Sequence, residues 1–202
     1  MALARDVVSD GLLAAMADFE ELLRGLDDDQ WTAPSRCEGW TVGDVARHAV
    51  GSMADVVAGR LDGLGSDEVT AREVAEREGH SPTQLADECA EAVKGVAGLL
   101  PLFDDDAWAA VAPGGYHGSL GDGVEALWAD FWFHTDDINA ALGRPSTGGR
   151  SLPGALSHVT FELGNRGWSG AIPTADDADA IPFLLSATGR TPLRDGLVNI
   201  YA

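Results

Sequence analysis

The chain has 202 residues, 45% of them hydrophobic, and its 13 Lys+Arg against 33 Asp+Glu give a net charge of -20. That length suits one domain with a full core. The negative field repels phosphate backbones and anionic lipid surfaces, so nucleic acid and membranes are excluded as expected partners.

Two cysteines, Cys37 and Cys89, make no disulfide framework. The first residues lack the apolar core of a signal peptide, and no run of about 18 apolar residues occurs. A reduced, cytoplasmic location is the default expectation. Strand-like alternation is scarce, and the pattern predicts an all-α fold.

Apolar residues at spacings of three and four predict a first helix over residues 3–26, through Val8, Leu12, Phe19 and Leu23. Asp27 to Gln30 reads as a solvated turn, with Trp31 in the loop beyond it plugging a bundle end. Thr41 with Asp44 three residues later approximates a capping box and starts a second helix. This helix is predicted to reach residue 64, closed by Gly63 and Gly65. His48 falls roughly 60° outside its apolar face, which points it toward a cleft between helices. Residues 66–79 are charged and read as a connector with a short exposed helix.

Ser81-Pro82-Thr83-Gln84 is a clear start for a third helix, expected to reach Leu100, with Cys89 as a small core residue. Phe103 to Trp108 is an acidic turn that echoes Leu26 to Trp31. Residues 111–122 form a Gly-rich loop whose spacing fits no phosphate-binding motif. The fourth helix is predicted over 123–142, with Gly143 at its end and Pro145 beyond. A fifth helix is expected over 153–168 and a sixth over 176–188. Val198 to Tyr201 suits a short extended piece. Short connections make helices one and two, and helices three and four, expected antiparallel neighbours. The expected organisation is one domain over 1–202: a four-helix core bundle over 1–145 with 146–202 packed on it.

The fourth helix carries the most unusual polar pattern. Asp130, His134 and Asp137 fall at i, i+4 and i+7, along one seam of a helix that is otherwise bulky and apolar. Buried polar groups need partners. Here the partner is either a hydrogen bond or a metal ion. Asp130 and His134 supply two candidate ligands, and His48 supplies a third from the second helix. Two imidazoles and a carboxylate leave a divalent ion with open positions for water or substrate. Zinc is the first choice, with nickel, iron and manganese as alternatives. His80, His117 and His158 read as surface residues.

Trp31-x2-Pro34-Ser35-x-Cys37-x-Gly39-Trp40-Thr41-Val42-x-Asp44-x3-His48, followed by His134-x2-Asp137 and Ala141-Leu142-Gly143-Arg144-Pro145, resembles the mycothiol-dependent maleylpyruvate isomerase family of the DinB-like superfamily. Residues 179–190, ending Thr188-Gly189-Arg190, also resemble a segment found in members near the end of the bundle region. The resemblance implies a DinB-like four-helix bundle with a divalent metal, typically zinc. It places the ligands on His48, Asp130 and His134, although the family's enzyme has Glu where this chain has Asp130. Asp is one methylene shorter, so direct ligation calls for a closer backbone or a bridging water. The resemblance further implies mycothiol as a thiol partner and a small electrophile as substrate, in an isomerase or S-transferase.

Asp137 reads either as a residue that orients a ligand histidine or as a structural cap. Cys37 reads as packing under Trp40. A metal-binding or ligand-binding bundle without turnover, and a structural bundle with an empty site, are the competing functions. A monomer or homodimer is the expected assembly.

Overall fold

A computed structural model describes residues 3–202; Met1 and Ala2 lie outside the described residues. Among the described residues the fold is helical, with no β-structure beyond the isolated bridges Pro34–Thr41 and Val111–Ser119. The helices are α1 (Arg5–Arg24), α2 (Asp28–Thr32), α3 (Val42–Ala58), α4 (Asp67–Glu76), α5 (Pro82–Leu99), α6 (Asp105–Ala109), α7 (Leu120–Ala141), α8 (Leu152–Asn165) and α9 (Ala180–Ala187). No helix among them is long and apolar enough to cross a membrane.

The four long helices α1, α3, α5 and α7 form the bundle, as expected. Their pairing is not as expected. α1 packs against α5 and α7, and α3 packs against the same two helices. The first and second bundle helices, and likewise the third and fourth, therefore sit across its diagonals, while the second and third lie side by side. The physical reason lies in the connections. Residues 25–41 and 100–119 hold the short helices α2 and α6, so they are long enough to cross a bundle end. α2 leans on α3 and α6 on α7.

Capping decides several boundaries. Thr41 and Asp44 close a reciprocal capping box at the start of α3, as the sequence predicts. Ser119 and Asp122 do the same for α7, which begins at Leu120, three residues before the expected start. α3 stops at Gly59 and does not reach residue 64. The two acidic turns each fold into a short helix, because Asp27 and Asp104 cap their free N–H groups. Trp31 consequently stands in α2, not in a loop. It is buried against Gly43, with the Arg47 guanidinium 5.4 Å from its ring centre. α8 and α9 are shorter than their predicted spans.

α7 is buried on two sides, which explains why it is apolar nearly all round. One side faces the bundle core of Leu12, Met16, Phe19, Met53, Leu85 and Ile138. There Phe19 meets Phe131 edge-on, with ring centres 5.3 Å apart. The other side, with Trp132 and Phe133, packs a second core against α8 and α9 through Val159, Leu163, Phe183 and Leu184. Trp128 is clamped between Gly11 of α1 and Gly154 of α8. A Cβ at either glycine would stand 2.3 Å from the indole, so both must lack a side chain. The tail 198–201 is not a strand. Ile200 is buried, its N–H donates to Ala187 O at 2.9 Å, and Arg166 donates to its carbonyl.

Candidate metal centre

α3 and α7 bring His48, Asp130 and His134 together. Their ligand atoms all lie within 4.8 Å of one another. The imidazole rings of His48 and His134 meet edge to face, 5.0 Å apart. His134 Nε2 is 3.2 Å from Asp130 Oδ1. Two atoms each about 2.0–2.1 Å from one tetrahedral ion stand about 3.3 Å apart, so that spacing suits shared ligation.

Each histidine is held from behind by a buried carboxylate. His134 Nδ1 lies 3.2 Å from Asp137 Oδ2, and His48 Nδ1 lies 2.8 Å from Glu73 Oε2. With both Nδ1 atoms occupied, the Nε2 atoms are left for the space between the rings. A carboxylate on the far nitrogen of a metal-ligating histidine fixes tautomer and orientation. Asp137 thus makes the contact with His134 that an orienting residue would make.

Glu73 was not singled out by the sequence. It sits on α4, in the charged segment expected to be an exposed connector, yet its side chain is fully buried. Ser52 Oγ also donates to Glu73 Oε2 at 3.2 Å, and Arg77 donates to the Glu73 carbonyl at 3.0 Å. Gly51 lets α4 approach this closely, since a Cβ there would stand 2.7 Å from the Glu73 Cβ. The sequence signal was indirect: Gly51 and Ser52 interrupt the large apolar residues of α3 one turn after His48.

Asp137 is the hub of a buried ionic network. Arg190 donates to both its oxygens, at 2.8 and 2.7 Å, and Arg36 Nε donates to Oδ1 at 2.7 Å. Arg36 also donates to Asp136. Arg190 lies over the Phe133 ring at 4.7 Å. It is the last residue of the segment 179–190 noted in the sequence, which gives that segment a physical role: it carries the cation that neutralises Asp137. Cys37 Sγ is 3.7 Å from Asp137 Oδ2. Burial first, and the Asp137 charge second, push the Cys37 thiol up, so it is not a ready nucleophile.

Burial alone would raise the Asp130 carboxyl, but the neighbouring His134 holds it down at about 2. Burial likewise disfavours a charged His134, yet Asp130 and Asp137 on its two nitrogens push it up to about 9. Burial also opposes ionisation of Asp137, and His134 and Arg190 overcome it, keeping that carboxyl below the usual range. Without a cation, the cluster is thus an imidazolium between carboxylates. A divalent ion would take the place of that proton.

His48 and Asp130 open onto a cleft of about 970 Å³, walled mainly by apolar side chains of α3, α5, α7 and the segment after α5. Of the three histidines expected at the surface, His158 is buried, because α8 packs on α7 and turns it inward. His117 is exposed on one side but pairs with Glu162, Nε2 to Oε1 at 2.9 Å. His80 is partly exposed, near Glu88.

The family model described as the mycothiol maleylpyruvate isomerase N-terminal domain matches residues 12–139, more than half of the chain. Among solved structures, the mycothiol-dependent maleylpyruvate isomerase is similar, with a TM-score of 0.58 and 18% sequence identity over 83% of this chain and 74% of that one. A mutant of that isomerase, with one histidine changed to alanine, is similar over the same shares with a TM-score of 0.57 and 18% identity. At that identity the likeness establishes the fold. No curated protein matches the sequence.

Proposed function

Because this chain belongs to the mycothiol maleylpyruvate isomerase N-terminal domain family, we propose that it binds a divalent metal at His48, Asp130 and His134 and uses it to activate a small-molecule thiol toward a small electrophile. Zinc is the proposed metal and mycothiol the proposed thiol. The observation that carries this reading is the convergence of three donor atoms within 4.8 Å, with both imidazoles fixed from behind by buried carboxylates.

The donor set fits the group. Two neutral imidazoles and one carboxylate suit a borderline-soft divalent ion and leave at least one position open. Bound there, the ion would lower the pKa of a coordinated thiol and polarise a carbonyl. The protein's own residues do the rest. Glu73 and Asp137 hold the two rings in place. Arg190 helps to keep Asp137 ionised, and Arg36 donates a further hydrogen bond to it. The cleft onto which His48 and Asp130 open is walled mainly by apolar side chains, which suit the apolar part of a substrate. Asp130 reaches His134 directly at 3.2 Å despite being shorter than Glu, which supports its place in the set. Residues 146–202 are proposed as part of the same domain, since α8 shares α7 with the bundle.

The test is metal analysis of protein purified without an affinity tag. One zinc per chain, lost in His48→Ala and in His134→Ala, is the expected result. No metal under any loading condition would leave a structural bundle. Calorimetric titration with mycothiol, with and without zinc, then separates thiol-dependent chemistry from a passive site: zinc-dependent binding is expected, and none would leave the isomerase-like reading without support.

A further inference from the structure

The cleft beside the cluster has further polar groups in its wall. His158 on α8 lines it, is nine-tenths buried, and has an Nδ1 with no hydrogen-bond partner. The hydroxyl of Tyr116, also lining the cleft, is buried and without a partner as well. Two unpartnered polar groups in one apolar cleft are costly unless something pairs with them. Burial pulls the His158 imidazole down, so it stands neutral, and burial pushes the Tyr116 phenol up, so it keeps its proton. Both present hydrogen bonds without charge.

Among the described residues, the acids and guanidinium that line the cleft are Asp130, Glu162 and Arg166. Arg166 is paired with Glu162 and held by three hydrogen bonds. It donates to the Glu162 carboxylate, to the Glu162 carbonyl at 3.0 Å and to the Ile200 carbonyl. His117 is spent on Glu162 in the same way. Among the described residues, no arginine or lysine without an acidic partner lines the walls to receive a carboxylate, and a dianion would lose its hydration against apolar side chains. The volume of about 970 Å³ is at the upper end for small-molecule sites.

We propose that this cleft takes an uncharged, predominantly apolar small molecule with a single hydrogen-bonding group, which is seated against His158 and Tyr116 while the apolar body lies along α5 and α7. As a statement about the electrophile this rests on the functional reading above; as a statement about binding it does not. It separates the chain's specificity from that of an enzyme for a dicarboxylate.

Acetophenone, ethylbenzene and phthalate share an aromatic body and differ in the head: one carbonyl, none, and a dianion. Each is titrated against the neutral dye Nile red on the full chain, zinc-free and zinc-loaded, with zinc content measured in the same samples. One dye per chain is expected, displaced by acetophenone about fivefold more tightly than by ethylbenzene, the worth of one neutral hydrogen bond. Phthalate should not displace it from the zinc-free protein. Ala126→Trp, which fills the cleft, should abolish dye binding. His158→Phe should erase the preference for the ketone, and His158→Gln, which keeps a donor, should retain it; thermal melts confirm that the variants fold. The inference is overturned by phthalate competing as well as acetophenone without zinc, by dye binding that survives Ala126→Trp, or by a ketone preference that survives His158→Phe. Zinc binding with no dye or ketone binding removes this inference and leaves the metal reading standing. Ketone binding by a chain that takes up no zinc under any loading condition does the reverse.

Discussion

Glu73→Gln perturbs the proposed metal site without touching a ligand. The Glu73 carboxylate is fully buried and 2.8 Å from His48 Nδ1, with Ser52 as a second partner at 3.2 Å. Gln keeps the shape and can still accept from the imidazole N–H, but it removes the charge. A hydrogen bond to an ionised group is worth about 1.5–3 kcal/mol, against about 0.5–1.5 for a neutral one. The difference, about 1.4 kcal/mol, corresponds to tenfold in affinity. It agrees with the 10- to 100-fold range typical when such a partner is lost. Competition with a chromophoric zinc chelator should therefore show about tenfold weaker zinc binding in Glu73→Gln. Glu76→Gln, on the same helix but exposed, should show none. Equal zinc affinity in wild type and Glu73→Gln, within twofold, would refute the claim that Glu73 tunes the site through His48.

Other measurements bear on the same cluster. Asp137→Asn leaves the Arg36 and Arg190 guanidiniums facing an uncharged group, and breaking a buried ion network costs about 3–5 kcal/mol; urea unfolding should show a loss of that order, and a loss below about 1 kcal/mol would contradict the hub role. In zinc-free protein, His134 at about 9 lies above its ordinary 6.5, so its stabilisation is full below that value and fades as pH climbs through 9. Asp130 at about 2 lies below its ordinary 3.8, so its share is full above 3.8 and fades as pH falls through 2. Urea midpoints in EDTA should accordingly decline from pH 6.5 to 9 in wild type and less so in His134→Gln; parallel profiles would count against the assignment. The Cys89 thiol, pushed up to about 12 by burial, should stay unmodified by a disulfide reagent at pH 7.5 until the protein unfolds. Rapid modification of the native protein would show that its burial is wrong.

Much of the site was legible because its ligands obey local periodicity. Asp130, His134 and Asp137 share a seam by helix geometry alone, and the signals at Thr41 and Gly143 delimit the helices that carry the candidate ligands. His48 could be separated from the core face by the same count of angles. Glu73, Arg36 and Tyr116 could not be found this way. Each lies in a segment whose composition suits solvent, and only packing against other segments leaves Glu73 buried and Arg36 and Tyr116 half-buried. His158 is buried and not at the surface for the same reason: its own helix does not say which face α7 will cover.

Local rules therefore determine which residues of this chain are helical and which polar groups sit on an otherwise apolar face. The order in which helices pack is different. The links between α1 and α3 and between α5 and α7 had looked short enough to force neighbours, but they fold into helices that cross the bundle ends. That diagonal arrangement places both α5 and α7 against α1 and α3, so that α3 lies beside α7 and His48 meets His134. Side-chain spacing along one helix sets up half a site, and only the packing of distant segments, through close approaches such as Gly51 against Glu73, completes it.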